Sequence, residues 1–167
     1  MSKGAFHLVF GPQGAGKSTY SRQLSARVDG VLFSIDEWMG QLYGPDLPKP
    51  MDFGWVMERV RRCELRIGST AAAIVATGGA VVLDLGFMKA KGRDEWRARA
   101  TAGGGRAQLH FVDAPYEIRR SRVLARNAER GETYSFEVTP PMFDFMERQF
   151  EPPTEAERAQ SIIVDTR

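Results

Sequence analysis

Residues 11–18, Gly11-Pro12-Gln13-Gly14-Ala15-Gly16-Lys17-Ser18, set a lysine and a hydroxyl directly behind a glycine-rich turn. The spacing is G-x-x-x-x-G-K-[ST]. In that pattern backbone N–H groups turn inward as an anion nest, the lysine reaches the outer phosphates of a nucleoside triphosphate, and the serine offers its hydroxyl to Mg²⁺. The pattern needs a strand before it and a helix after it. The apolar run Ala5–Phe10 predicts the strand, and Tyr20, Leu24 and Val28, recurring every fourth residue, predict the helix. The positive end of that helix would point at the same phosphates. Residues Gly11 through Thr19 are therefore expected to hold ATP, with Lys17 also acting in the reaction and Ser18 on the metal.

Two carboxylates end apolar runs elsewhere. Asp36 stops Val31-Leu32-Phe33-Ser34-Ile35, and Asp84 ends Ala80-Val81-Val82-Leu83. A motor-type ATPase would place a glutamate after the aspartate of such a strand to polarise water. Asp84 is followed by Leu85, whereas Asp36-Glu37 does have the pair, only 19 residues after Lys17. A guanine-selective switch would need an Asn/Thr-Lys-x-Asp segment, and none of the five lysines (3, 17, 49, 89 and 91) lies in one.

Basic chemistry is concentrated in one segment. Asp113-Ala114-Pro115-Tyr116-Glu117 is a good helix start, with a capping acid, a proline near the first position and an early glutamate. Arg122, Arg126 and Arg130 follow at i, i+4, i+8, with Arg119 one turn earlier. Such a row is either a phosphate clamp or a solvated helix face. The whole chain carries 23 Lys+Arg against 21 Asp+Glu, and residues 113–131 hold five arginines against three acids, so the entire +2 excess sits there. That balance favours a triphosphate over a long nucleic acid as partner.

Trp38, Tyr43, Trp55 and Arg59 cluster in and after the segment following Asp36. They are expected either to wall an acceptor pocket, since aromatic faces bind bases, sugars and other rings, or to pack in the core. Lys89 and Arg93 lie just beyond Asp84 and would contact a charged acceptor or form a solvated helix start. Phe150-Glu151-Pro152-Pro153-Thr154 is a rigid segment expected to border the adenine. His7 and His110 fall on core strands and read as structural; the single cysteine, Cys63, reads as a small buried hydrophobe.

The elements that must position these groups alternate along the chain. Strands are expected at Ala5–Phe10, Val31–Ile35, Ala80–Asp84, Leu109–Val112 and Ser161–Val164. Helices are expected after the glycine loop, from about Trp55 to Thr77, around Trp96, after Pro115, and from Met142 to Phe150. Residues 39–53, rich in Gly and Pro, are expected to form a loop with at most a short helix. Strands that are apolar on both faces and alternate with helices imply a parallel sheet covered on both sides. With 167 residues, 43% hydrophobic and 26% charged, the chain is expected to form a single α/β domain over residues 1–167. The longest apolar run is far too short to span a membrane and the start resembles no secretory signal, so a cytoplasmic protein, monomeric or weakly self-associating, is expected. The chain stops just after its last strand, which suggests either a minimal or a shortened form.

The spacing of the loop, Asp36, Asp84 and the arginine helix resembles the small AAA_33-type P-loop kinases. These include the kinase domain of phage polynucleotide kinase, chloramphenicol phosphotransferase and the zeta toxins. The resemblance spans nearly the whole chain, although only the P-loop is a specific motif. It implies a three-layer sandwich with sheet order 2-3-1-4-5, ATP with Mg²⁺, and phosphoryl transfer to a hydroxyl of a small molecule or nucleotide. Carried over, Asp36 matches the strand-end carboxylate that serves as general base, though it would also suit as N-cap of a helix near Glu37. Asp84 would hold Mg²⁺ or bind the acceptor. Arg126 and Arg130 would close over the phosphates from a lid at about 126–138, with Arg122 beside the nucleotide. Where polynucleotide kinase has an arginine soon after its catalytic aspartate, this chain has Trp38 and Met39, which argues against a polynucleotide acceptor. The alternative from another class is an ATP-binding switch or accessory ATPase acting through a protein partner.

Overall fold

The structure is a computed structural model, and it describes residues 4–130 and 137–167. Five strands form one sheet: β1 (Ala5–Phe10), β2 (Val31–Ser34), β3 (Ala80–Asp84), β4 (Arg106–Asp113) and β5 (Ser161–Asp165). All pair in parallel, in the order β2-β3-β1-β4-β5, which is the order expected from the family resemblance.

The β1 sequence explains its central place. Phe6, Leu8 and Phe10 point to one face and Val9 to the other, all buried, as two-sided cover demands. On the first face lie α3 (Phe53–Ala76), through Cys63, Ile67, Ala71 and Val75, and α4 (Ala90–Ala102), through Trp96 and Ala100. The second face is covered by α1 (Lys17–Arg27), through Tyr20 and Leu24. Helices α5 (Tyr116–Glu129) and α6 (Pro140–Gln149) share a smaller apolar cluster of Val123, Val138 and Phe143.

Two stretches depart from the sequence expectation. The second strand ends at Ser34, and α2 (Ile35–Tyr43) starts at once, followed by a short 3-10 turn over Gly44–Asp46. The expected loop at 39–53 is therefore half helix. Ser34 is the reason: its hydroxyl accepts a hydrogen bond from the Glu37 backbone N–H and caps the helix. A further helix, α7 (Glu155–Gln160), precedes β5 and is closed by a capping box between Thr154 and Glu157. Among the described residues no helix is long and apolar enough to cross a membrane.

Candidate active site

The C-terminal ends of β1, β2 and β3 bring the first three groups together, as expected of ligand sites in open α/β sheets. Between β1 and α1 the loop is shaped by its glycines. A side chain at Gly11 would fall 1.9 Å from the Val112 carbonyl, and Gly14 has φ +78 with Arg119 O 2.5 Å from its virtual Cβ. Only glycine lets the loop pass that close to β4 and α5. Gly16, also left-handed, ends the loop, and α1 begins at Lys17.

Lys17 donates from Nζ to the Pro12 carbonyl at 3.0 Å, across its own loop. Burial lowers its pKa, while the charges of Asp84 and Asp36 pull it back up. The Ser18 hydroxyl donates to Asp84 Oδ2 at 3.2 Å. Asp84 is buried at the end of β3, and that burial pushes its pKa up to about 6, with Lys17 opposing the rise and Asp36 adding to it. A serine hydroxyl beside a carboxylate is an all-oxygen donor set, which fits Mg²⁺. These two residues would hold it with the phosphates and water.

Asp36 is exposed in the first turn of α2. Because Ser34 takes the capping role, the Asp36 carboxylate is not used as a cap, contrary to that alternative reading. Arg126 approaches from α5, half-buried; burial lowers its pKa and the Asp36 charge counters this. Among the described residues Arg126 has no hydrogen bond or ion pair, so its five N–H donors are uncommitted.

These groups share one cavity of about 490 Å³. Gln13, Gly14, Gly16, Lys17, Ser18, Thr19, Asp36, Asp84, Arg122 and Arg126, all expected site residues, line it. Gly11, Pro12 and Ala15 are buried within the loop and are not among the residues lining the cavity. Gly86 and Met88, which follow Asp84, also line the cavity, with Glu129, Val138 and Met146. Sequence reading missed these; the Gly86-Phe87 pair, both at positive φ, is the turn signal that marks the first two.

Other expected site residues lie elsewhere. Arg93 is fully buried: it forms a bidentate ion pair with Glu157 at 2.6 and 3.0 Å, donates to Phe87 O at 2.9 Å and stacks 4.6 Å over Phe10. It braces the turn after Asp84 and is sealed from an acceptor, so it is neither an acceptor contact nor part of a solvated helix start. Trp38 packs on Phe33 against the core, with ring centroids 6.1 Å apart. Tyr43, Trp55 and Arg59 do meet one another, the Arg59 guanidinium lying 3.6 Å from the Trp55 ring centre. None of these four is among the residues lining the cavity. The 150–154 segment packs through Phe150 on Phe111, ring to ring at 6.5 Å, rather than on the cavity. Arg130 is the left-handed C-cap of α5, exposed, and is not among the residues lining the cavity. Of the expected lid, residues 131–136 fall outside the described residues. Its two flanks are joined, since the Asn127 side chain both donates to and accepts from the Val138 backbone at 2.7 and 2.9 Å.

Comparison with known proteins agrees with this geometry. The structure is similar to a Chloroflexus aurantiacus protein (TM-score 0.76, 17% identity, 99% of this chain and 86% of that one). It is also similar to Chaetomium thermophilum Kti12 in complex with ADP-AlF3 (0.70, 19%, 96% and 87%) and to Mycobacterium tuberculosis APS kinase CysC in complex with AMPPNP and APS (0.64, 17%, 99% and 90%). No curated protein sequence matches the chain significantly. The AAA_33 family model, an AAA domain, matches residues 6–153. A chain with that match, this sheet order and this loop belongs to the AAA_33 family and has the fold of the P-loop kinases.

Proposed function

We propose that this protein is an ATP-dependent phosphotransferase that moves the γ-phosphoryl group of ATP to a hydroxyl of a small molecule or nucleotide. The observation that carries the reading is the one cavity in which the exposed Asp36 carboxylate, the uncommitted Arg126 guanidinium and the P-loop all meet. A phosphate clamp and a free base at one cavity are what transfer to a hydroxyl requires, and the similarity to a nucleotide-bound APS kinase is consistent with it.

In this mechanism the inward N–H groups of the P-loop and the Lys17 ammonium hold the triphosphate. Asp36 accepts the proton of the acceptor hydroxyl. The acceptor oxygen forms its bond to the γ-phosphorus as the bond to the β–γ bridging oxygen breaks, and ADP leaves with that electron pair. Arg126 stabilises the charge that spreads over the transferred group. Mg²⁺, when bound by Ser18 and Asp84, supplies further neutralisation of the phosphate oxygens. Holding the two oxygens in line provides much of the acceleration.

The test is ATP consumption against a panel of nucleosides, nucleotides, oligonucleotides, sugars and aminoalcohol antibiotics. Strong acceptor-dependent turnover with at least one member is the expected result. Slow hydrolysis indifferent to every acceptor would instead indicate an ATP-binding switch working through a protein partner.

A further inference from the structure

Three successive carbonyls at the tip of the P-loop are held by donors from other elements, while Pro12 O is held within the loop by Lys17 Nζ at 3.0 Å and Ala15 N–H at 3.3 Å. Gln13 O accepts from Arg119 at 3.2 Å and Gly14 O from Arg122 at 3.4 Å. Ala15 O accepts the Thr166 hydroxyl at 2.6 Å, and that same hydroxyl oxygen accepts from Arg122 at 2.9 Å. Arg122 also donates to the Thr166 carbonyl, and Thr166 N–H donates to Asp113 O at 3.0 Å. A trans peptide unit directs its N–H opposite to its carbonyl, so fixing the Gln13 and Ala15 carbonyls turns the Gly14 and Gly16 amides away from Arg119 and Thr166, while the Ala15 amide closes the loop on Pro12 O at 3.3 Å.

Both arginines reach the loop from α5 and are anchored by further partners. Arg119 is buried, its charge met by a bidentate pair with Glu147 at 2.6 and 2.7 Å. Arg122 spends its donors on Thr166 and Gly14. Thr166 follows β5, 150 positions from Gly16 and beyond the family-matched residues, yet its methyl lies 3.7 Å from the virtual Cβ of Gly16.

We propose that Arg119, Arg122 and Thr166 form an outer brace that sets the P-loop amides for phosphate before any nucleotide arrives, and that Thr166 is a positioning residue of the nucleotide site. This inference rests on the nucleotide-binding part of the reading above and is independent of the acceptor. The arginine row then has two roles. Arg122 acts on the loop and hence on nucleotide affinity, whereas Arg126 acts on the transferred group.

Thr166→Val keeps the shape and removes the hydrogen bonds of the hydroxyl to Ala15 O, Asp113 O and Arg122, and Thr166→Ser restores them. ATP affinity of the full chain is measured by calorimetry, with melting temperature and amide exchange of residues 13–17 alongside. The brace predicts about tenfold weaker ATP binding and faster exchange in the loop for Thr166→Val, little change in melting temperature, and recovery in Thr166→Ser. Arg122→Gln is the second variant, should the valine fail to fold, and the same affinity loss is expected of it. If Thr166→Val and Arg122→Gln bind ATP as the unmodified protein does, the brace is overturned while the nucleotide reading stands. An unmodified protein that binds no ATP overturns both.

Discussion

A lysine behind three glycines has one strong physical reading, and its residues needed no fold to be found because all of them lie within eight positions. The arginines are different. Arg119, Arg122 and Arg126 share a helix face, but only Arg126 reaches the cavity with its donors free. Spacing showed the row; the division of roles within it depends on Glu147 and Thr166, distant in sequence and invisible to periodicity. The expected consequence at this scale is a split in kinetics. Arg126→Ala should lower kcat by about 10²–10³ while ATP affinity changes by less than about threefold, because its partner is charge that develops during transfer. Steady-state kinetics beside equilibrium binding measure both, and an unchanged kcat would remove Arg126 from the mechanism. Asp36 was expected to stop the second strand but lies in the first turn of α2, and that its carboxylate is not used as a cap was not legible until Ser34 was seen to cap the helix. The signal was present as Ser34-x-x-Glu37, a capping pattern that starts two residues before Asp36.

Between elements, two buried polar contacts fix how α1, α4 and α7 sit on the sheet. The first is a chain from α1 through β4 to β1: Arg27 to Tyr20 at 3.3 Å, Tyr20 to His110 Nδ1 at 2.8 Å, and His110 Nε2 to His7 Nδ1 at 3.0 Å. A guanidinium only donates, so Tyr20 gives its own proton to His110 Nδ1, and the remaining His110 proton sits on Nε2 facing His7. A second proton on His110 has no place, and burial lowers its pKa to about 4, helped by His7 and Arg27. The sign follows from linkage. Above pH 6.5 both folded and unfolded forms are neutral at this residue. As pH falls below 6.5 the unfolded chain takes a proton that the folded chain refuses, so stability declines until about pH 4. The loss should be on the order of 3 kcal/mol across that window. Urea unfolding at about pH 7 and about pH 4.5 measures it, and a His110→Gln chain should show a shallower decline; equal slopes would refute the assignment. The second contact is Arg93 with Glu157, which ties α4 to α7. Removing one partner leaves a buried charge alone, so Arg93→Ala should cost about 3–5 kcal/mol and show as a large fall in melting temperature; a shift of only a degree or two would contradict it. Sequence reading placed Arg93 on a helix start but had no means of pairing residues 64 positions apart. The missed α7 was announced by Thr154-x-x-Glu157, a capping pattern hidden behind what reads as a rigid proline segment.

At the scale of the whole molecule, the layering was legible because strands apolar on both faces must be covered on both, whereas the sheet order followed only from the family resemblance. Ionic placement was legible only in outline. The +2 excess of residues 113–131 does lie beside the P-loop, but Glu147 offsets Arg119 from a different helix. The cavity is lined by the cations Lys17, Arg122 and Arg126 together with the acids Asp36 and Asp84. Under the proposed function the cations meet the triphosphate and Asp36 meets the acceptor hydroxyl. The central claim is that Asp36 takes the acceptor proton in transfer from ATP. Its most direct test follows radiolabelled γ-phosphate from ATP into product with the best acceptor of the panel, in the unmodified chain and in Asp36→Asn. Labelled acceptor is expected with the first and a drop of about 10³-fold or more with the second, with ATP affinity retained within a few-fold in both. Label released only as phosphate, or transfer undiminished in Asp36→Asn, would contradict the claim.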